Sequence, residues 1–132
     1  MRPTRHTLIF FLRACAWAYL IFLTVVSLVR VPEVVGLNFN DLFLHCVAYG
    51  LLMWGFMQAH ESVNRLVLMG ACAGWGVLLE VAQSFTPYRT FELADMLANA
   101  AGAVLGWGVG RIHRPVLQIL FRSRVTGGRS LL

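Results

Sequence analysis

Charge is scarce in this chain. Of its 132 residues only 13% are charged and 58% are hydrophobic, whereas a soluble domain carries about a quarter charged residues. So little charge cannot cover a water-facing surface, and a small soluble domain has too little interior to hide so many apolar side chains. A bilayer resolves both problems. Lysine is absent too: the 11 basic residues are all arginine, for a net charge of +5. The arginines flank apolar segments without interleaved aromatics, which points to membrane orientation rather than to nucleic acid. The three cysteines, Cys15, Cys46 and Cys72, form no CxxC pair and lie in apolar segments. They read as small interior residues, not as a disulfide framework. There is no linker, low-complexity run or clear internal repeat, and no HExxH motif, nucleophile elbow or phosphate loop.

Four apolar segments are present, at about 8–29, 42–59, 66–82 and 93–110. Each approaches the roughly 20 residues that a helix needs to cross the hydrocarbon core. The sequence therefore predicts an all-α fold, an integral membrane four-helix bundle forming a single domain over residues 1–132. The first segment follows basic Arg2 and Arg5 as a signal peptide would, but it is too long and no convincing cleavage site follows it. Arg13 within it is expected to snorkel to the interface. His60 to Arg65 is a tight loop that makes the second and third segments antiparallel neighbours. Arg111 and Pro115 are expected to end the fourth helix, leaving a short basic tail, 111–132, on the membrane surface and unstructured after about 126.

Arginine counting gives direction. Arg2, Arg5, Arg65, Arg111, Arg114, Arg122, Arg124 and Arg129 fall on one side, Arg30 and Arg89 on the other. The positive-inside rule then places both termini in the cytoplasm. The unusual polar residues fall together at the opposite, outer end: Asp41 and His45, Glu80 and Gln83, Arg89 and Glu92, Asp95 and Asn99. Asp41, His45 and Tyr49 share one helical face, Glu80 and Gln83 another, and Asp95, Asn99, Gly102 and Gly106 a third. Facing lipid with such groups costs at least about 2.5–3.5 kcal/mol for a charge at mid-depth, so each face is expected to point into the bundle. Asp41 and Asp95 lie in first helical turns, where the dipole favours a negative charge; Glu80 lies near the end of its helix, where it does not. Arg89, folded back by the Pro87 turn, is the expected partner of Glu80. Gly70, Gly74, Gly102, Gly106 and Gly110 are expected to let helix backbones approach closely. Trp17, Trp54, Trp75 and Trp107 are expected to face lipid or the interface.

These residues resemble the VanZ-like family of small bacterial membrane proteins. The family's Asp-Lys-x-x-His appears as Asp41-Leu42-Phe43-Leu44-His45, with Tyr49 following. A longer string, Glu80-x-x-Gln83-x-Phe85-x-Pro87-x-Arg89, is followed by Asp95-x-x-x-Asn99-x-x-Gly102-Ala103-x-x-Gly106. Together they cover about half the chain. Leu42 departs from the usual lysine, which removes any anion contact that lysine makes in relatives. The resemblance implies a multi-pass protein of the bacterial cytoplasmic (inner) membrane with a cell-envelope role. It also implies a family link to low-level resistance to the glycopeptide teicoplanin.

Three functions follow. Asp41, His45, Glu80, Gln83, Arg89, Asp95 and Asn99 form a candidate binding cleft for the headgroup of a lipid or lipid-linked envelope precursor, with Arg89 as the anion contact. His45 with carboxylates has the ingredients for a membrane-embedded hydrolase or transferase, by acid-base work or through a hard metal ion. No serine or cysteine stands out beside His45, so binding is read ahead of catalysis, with no cofactor and no bound metal. The third reading is a purely structural polar network. A proton-coupled drug transporter of this size needs an acid near mid-membrane, whereas Glu80 sits towards one end.

Overall fold

The computed structural model describes residues 5–29, 41–87 and 91–126. It contains four helices, α1 (Arg5–Leu28), α2 (Asp41–Ala59), α3 (Arg65–Ser84) and α4 (Leu93–Thr126), and no strand among the described residues. α1, α2 and α3 are long and apolar enough to cross a membrane. The 19 residues of α2 rise about 28 Å, close to the roughly 30 Å thickness of a hydrocarbon core.

α4 departs from expectation in two ways. Asp95, Asn99 and glycines 102, 106, 108 and 110 make it less apolar than the other three. It also continues through Arg111 and Pro115 to Thr126, where the sequence predicted a break and a separate tail. Proline removes one intrahelical hydrogen bond. That loss is small where a helix leaves the apolar layer and water can satisfy the freed carbonyl.

The exterior is apolar. Phe10, Phe11, Ile21, Phe22, Leu66, Leu97 and Leu105 are all well exposed. In water, so much contiguous apolar surface would drive aggregation; in lipid it is the appropriate exterior. The buried polar side chains are Glu80, Gln83, Asp95 and Asn99. They lie at the end of the bundle where α2 and α4 begin and α3 ends. The hydrophobic core, built on Leu52, Met53, Phe56, Met57, Leu68 and Cys72, fills the middle and the other end. Of the three cysteines only Cys72 is buried; Cys46 is half-buried and Cys15 is exposed.

α2 and α3 lie between α1 and α4, which do not touch each other among the described residues. The expected α2–α3 contact is present, but the most extensive packing joins α2 to α4. Its cause is the absence of side chains. A Cβ on Gly102 would lie 2.1 Å from the Cys46 carbonyl oxygen, and one on Gly106 would lie 2.1 Å from that of Gly50. The two backbones thus meet directly, with glycine Cα–H groups against carbonyls. Gly70 and Gly74 have the same spacing, yet a Cβ on either meets nothing within 4 Å. Among the described residues, then, they do not bring helices together as expected.

α1 is attached by side-chain hydrogen bonds. Arg13 does not simply snorkel: its Nε donates to the Ala59 carbonyl, 3.1 Å away, at the end of α2. Tyr19 donates to the Ala48 carbonyl at 3.3 Å. Trp75, expected at the lipid surface, is half-buried and donates to Thr24 Oγ1 at 3.1 Å. Trp107 is likewise partly buried against the core, and Arg111 stacks over its ring. Trp75→Phe should lower the stability of the folded protein in detergent by about 0.6 kcal/mol, the average for such a bond in membranes. Equilibrium unfolding would check this, and a loss of several kcal/mol would show that the bond carries more than its class.

Candidate functional site

α3 begins at Asn64, whose side chain accepts the Leu66 N–H at 2.9 Å. It ends in a turn where the Thr86 N–H and hydroxyl both reach the Gln83 carbonyl, at 2.8 and 2.7 Å. α4 opens with the Asp95 N–H donating to the Glu92 carbonyl at 3.2 Å. These two ends, with the first turns of α2, carry the candidate residues.

His45 is the centre of one group. It lies one turn into α2, on the same face as Asp41. Its Nδ1 is 3.0 Å from Asn99 Oδ1, its Nε2 is 3.5 Å from Asp95 Oδ2, and its Nε2 is 4.0 Å from Asp41 Oδ1. Burial is graded: the Asp95 side chain is 6% exposed, that of His45 15% and that of Asp41 58%. Asp41 is therefore at the mouth and Asp95 and Asn99 at the back. The back is tightly fitted, because a Cβ on Gly76 would lie 3.1 Å from both Asn99 Cβ and Tyr49 Cε1.

Glu80 and Gln83 join neighbouring elements to this group. Gln83 Nε2 donates to the Ser27 carbonyl of α1 at 2.8 Å. Glu80 Oε1 accepts the Glu92 N–H at 2.8 Å, while its Oε2 is buried with no hydrogen-bond partner among the described residues. A carboxylate near the C-terminus of its own helix is disfavoured by that helix's dipole. Here it sits at the N-terminus of α4, where the dipole is positive and a backbone N–H is on offer. The expected Glu80–Arg89 pairing concerns a residue outside the described ones; what holds Glu80 among them is the start of α4.

Levels can be read from the packing. Gly76 of α3 stands beside Asn99 of α4. Glu80 is one turn further along α3, and Asp95 one turn back along α4. In antiparallel helices these two steps go the same way, so Glu80 and Asp95 share one depth. Asp41, His45, Asp95 and Asn99 thus form one cluster, with Glu80 level with it and Gln83 linking it to α1. Sequence reasoning missed Gly76, Thr24 and Ser27. A glycine beside an amide and a bare backbone carbonyl carry no pattern that separates them from ordinary helix.

The family model described as VanZ/LLP1 matches residues 10–114. No curated protein and no solved structure matches the chain.

Proposed function

As the chain belongs to the VanZ-like family, we propose that its clustered polar residues bind the headgroup of a lipid or of a lipid-linked cell-envelope precursor. The observation that carries this reading is the position of Glu80, Asp95 and Asn99. They are among the few buried polar side chains, and they stand at one end of an otherwise apolar interior. Joining α2 to α4 does not require Asp95 or Asn99, and the hydrogen bond that Glu80 accepts from the start of α4 uses only its Oε1. α2 and α4 are joined by direct backbone contact at Gly102 and Gly106, and a polar side-chain bond between membrane helices adds only about 0.6 kcal/mol. Intramembrane carboxylates without such a need favour a ligand.

The ligand enters past exposed Asp41 and meets His45, Asp95 and Asn99 in turn. Asp41, Asp95 and Glu80 are acceptors, suited to amine or hydroxyl donors of a headgroup. Arg89 is assigned from the sequence as the contact for its anionic part. The arginine asymmetry supports putting this end on the outer side of the cytoplasmic membrane, with both termini inside. An outward site for envelope precursors is in keeping with the resistance link that the family resemblance implies.

Native mass spectrometry of the purified protein tests the reading. The wild type should retain a lipid species, and Glu80→Gln, Asn99→Ala and Arg89→Ala should lose it while expressing and inserting nearly as well. Equal retention by all four proteins, or none by the wild type, would refute headgroup binding. Loss of folded protein with each single substitution would instead favour a structural network.

A further inference from the structure

Within the apolar stretch His6–Leu28 of α1, Arg13 alone is a member of the Asp, Glu, Lys and Arg set, and its guanidinium is only partly used. Nε donates to the Ala59 carbonyl at 3.1 Å. That bond ties α1 to the last residue of α2 and sets a positive charge against the negative end of the α2 dipole. A guanidinium is a permanent charge with five N–H donors. One carbonyl satisfies one donor and supplies no counter-ion. No carboxylate pairs with Arg13 among the described residues, and the residue is exposed. An uncompensated charge on a lipid-facing helix is costly.

Pinning Nε has a geometric consequence. The edge of a guanidinium remote from the chain carries two parallel N–H groups, one from each Nη, which match two oxygens of a phosphate. With Nε held on Ala59, that edge is fixed in advance, and less freedom is lost when an anion binds to it.

The surroundings suit a phospholipid better than a free ion. Ala59 ends α2 where the chain enters the polar turn 60–64, so Arg13 lies at the boundary of the apolar layer, the level of lipid headgroups. One turn further into the layer, on the same face of α1, is Trp17. It is 51% exposed and meets Phe56 of α2 in a T-shaped contact with ring centroids 5.2 Å apart. Ile21, another turn along, is exposed as well. An anion on Arg13 therefore has an open apolar strip running inward beneath it, where a glycerol ester and an acyl chain belong. Arg65, which begins α3, and Arg111, late in α4, stand at the same end of the bundle, and positive charge there disfavours a headgroup amine.

We propose that Arg13, flanked by Trp17, binds the phosphate of one anionic phospholipid at the end of the bundle opposite to His45 and Asn99. The arginine asymmetry supports the cytoplasmic leaflet as its source. The site goes beyond the headgroup reading and does not depend on it: the two share no residue and draw on opposite leaflets.

The test is native mass spectrometry of the full chain, delipidated in detergent and titrated with dioleoyl phosphatidylglycerol, dioleoyl phosphatidylcholine and inorganic phosphate. Phosphatidylglycerol should bind about fivefold more tightly than phosphatidylcholine, the worth of one basic residue beside an anionic headgroup, and excess inorganic phosphate should not displace it. Arg13→Gln should weaken it by about tenfold or more, the loss of charge-assisted hydrogen bonds. Arg13→Lys, which keeps the charge but not the fork, should lose nearly as much, and Trp17→Ala less. Arg111→Gln, whose charge at the same end stacks over Trp107, should bind as wild type. Equal binding of the two lipids, displacement by inorganic phosphate, wild-type affinity in Arg13→Gln or Arg13→Lys, or an equal loss in Arg111→Gln would each overturn the proposal. Lysine can still donate to the Ala59 carbonyl, so Arg13→Lys decides where Arg13→Gln fails to fold. Lipid lost with Asn99→Ala but kept with Arg13→Gln overturns this site and leaves the headgroup reading standing; the converse overturns the headgroup reading alone.

Discussion

Gly106→Ala is expected to push α2 and α4 apart and to cause a large loss of stability for a single added methyl. The new Cβ would lie 2.1 Å from the Gly50 carbonyl oxygen, 2.9 Å from its carbon and 3.0 Å from its Cα. A carbon in ordinary contact with a carbonyl oxygen sits at about 3.3 Å or more, so the helices must separate by on the order of 1 Å. The obstacle is backbone, which cannot rotate aside as a side chain does. Overpacking of a core costs about 1–3 kcal/mol even where side chains can adjust, and the upper end or beyond applies here. Gly102→Ala meets the Cys46 carbonyl in the same way and has a second effect. Gly102 is three residues from Asn99, and Cys46 is next to His45, so displacement there also opens the His45–Asn99 bond. Gly74→Ala is the control: its Cβ meets nothing within 4 Å, so it should be neutral or slightly favourable. Unfolding midpoints in detergent would rank the variants, and equal midpoints for Gly106→Ala and Gly74→Ala would refute direct backbone contact.

Glu80→Leu is expected to be damaging too, by a different route. It removes the acceptor for the Glu92 N–H in a part-buried place, where losing the bond costs about 1 kcal/mol. It also removes a negative charge from the start of α4, worth up to about 2 kcal/mol in a partly buried geometry. Glu80→Gln keeps the shape and the accepting oxygen, so it should stay within about 1 kcal/mol of wild type while abolishing any function that needs the charge. Thermal unfolding of both variants separates the two contributions. If Gln is as harmful as Leu, charge rather than the hydrogen bond secures the α3–α4 junction; if Leu is harmless, the Glu80–Glu92 contact is not structural.

Helix number and the end that collects the polar residues were legible because both rest on periodicity. Asp41 and His45, Glu80 and Gln83, and Asp95 and Asn99 each share a face by spacing alone, and the structure does turn His45, Asp95 and Asn99 toward one another. What each face meets was not legible. Gly70–Gly74 and Gly102–Gly106 have identical spacing, yet one pair is open and the other is backbone against backbone. Spacing selects a side of a helix without saying which neighbour lies there. Glu80 illustrates a second gap. Its need for a partner followed from its place near a helix end, and the only visible candidates were charged side chains. The Glu92 N–H is a donor that every residue but proline possesses, and so it leaves no trace in the sequence. Pro115 is a third case: the helix expected to end at Arg111 and Pro115 continues to Thr126.

The sparse attachment of α1 bears on how the protein is made. α1 leaves the ribosome before α2, α3 and α4, is the most apolar of the candidate spans, and gives the candidate residues only the Ser27 carbonyl that Gln83 reaches. Its exterior suits lipid as it stands, so it can enter the bilayer and wait there alone. α4 is in the opposite position: it follows the other three helices, with Asp95 and Asn99 on a face that lipid penalises and glycines that fit against α2. Chain order thus matches self-sufficiency. The segment that must wait longest needs its partners least, and the segment that cannot wait finds α2 and α3 already in place.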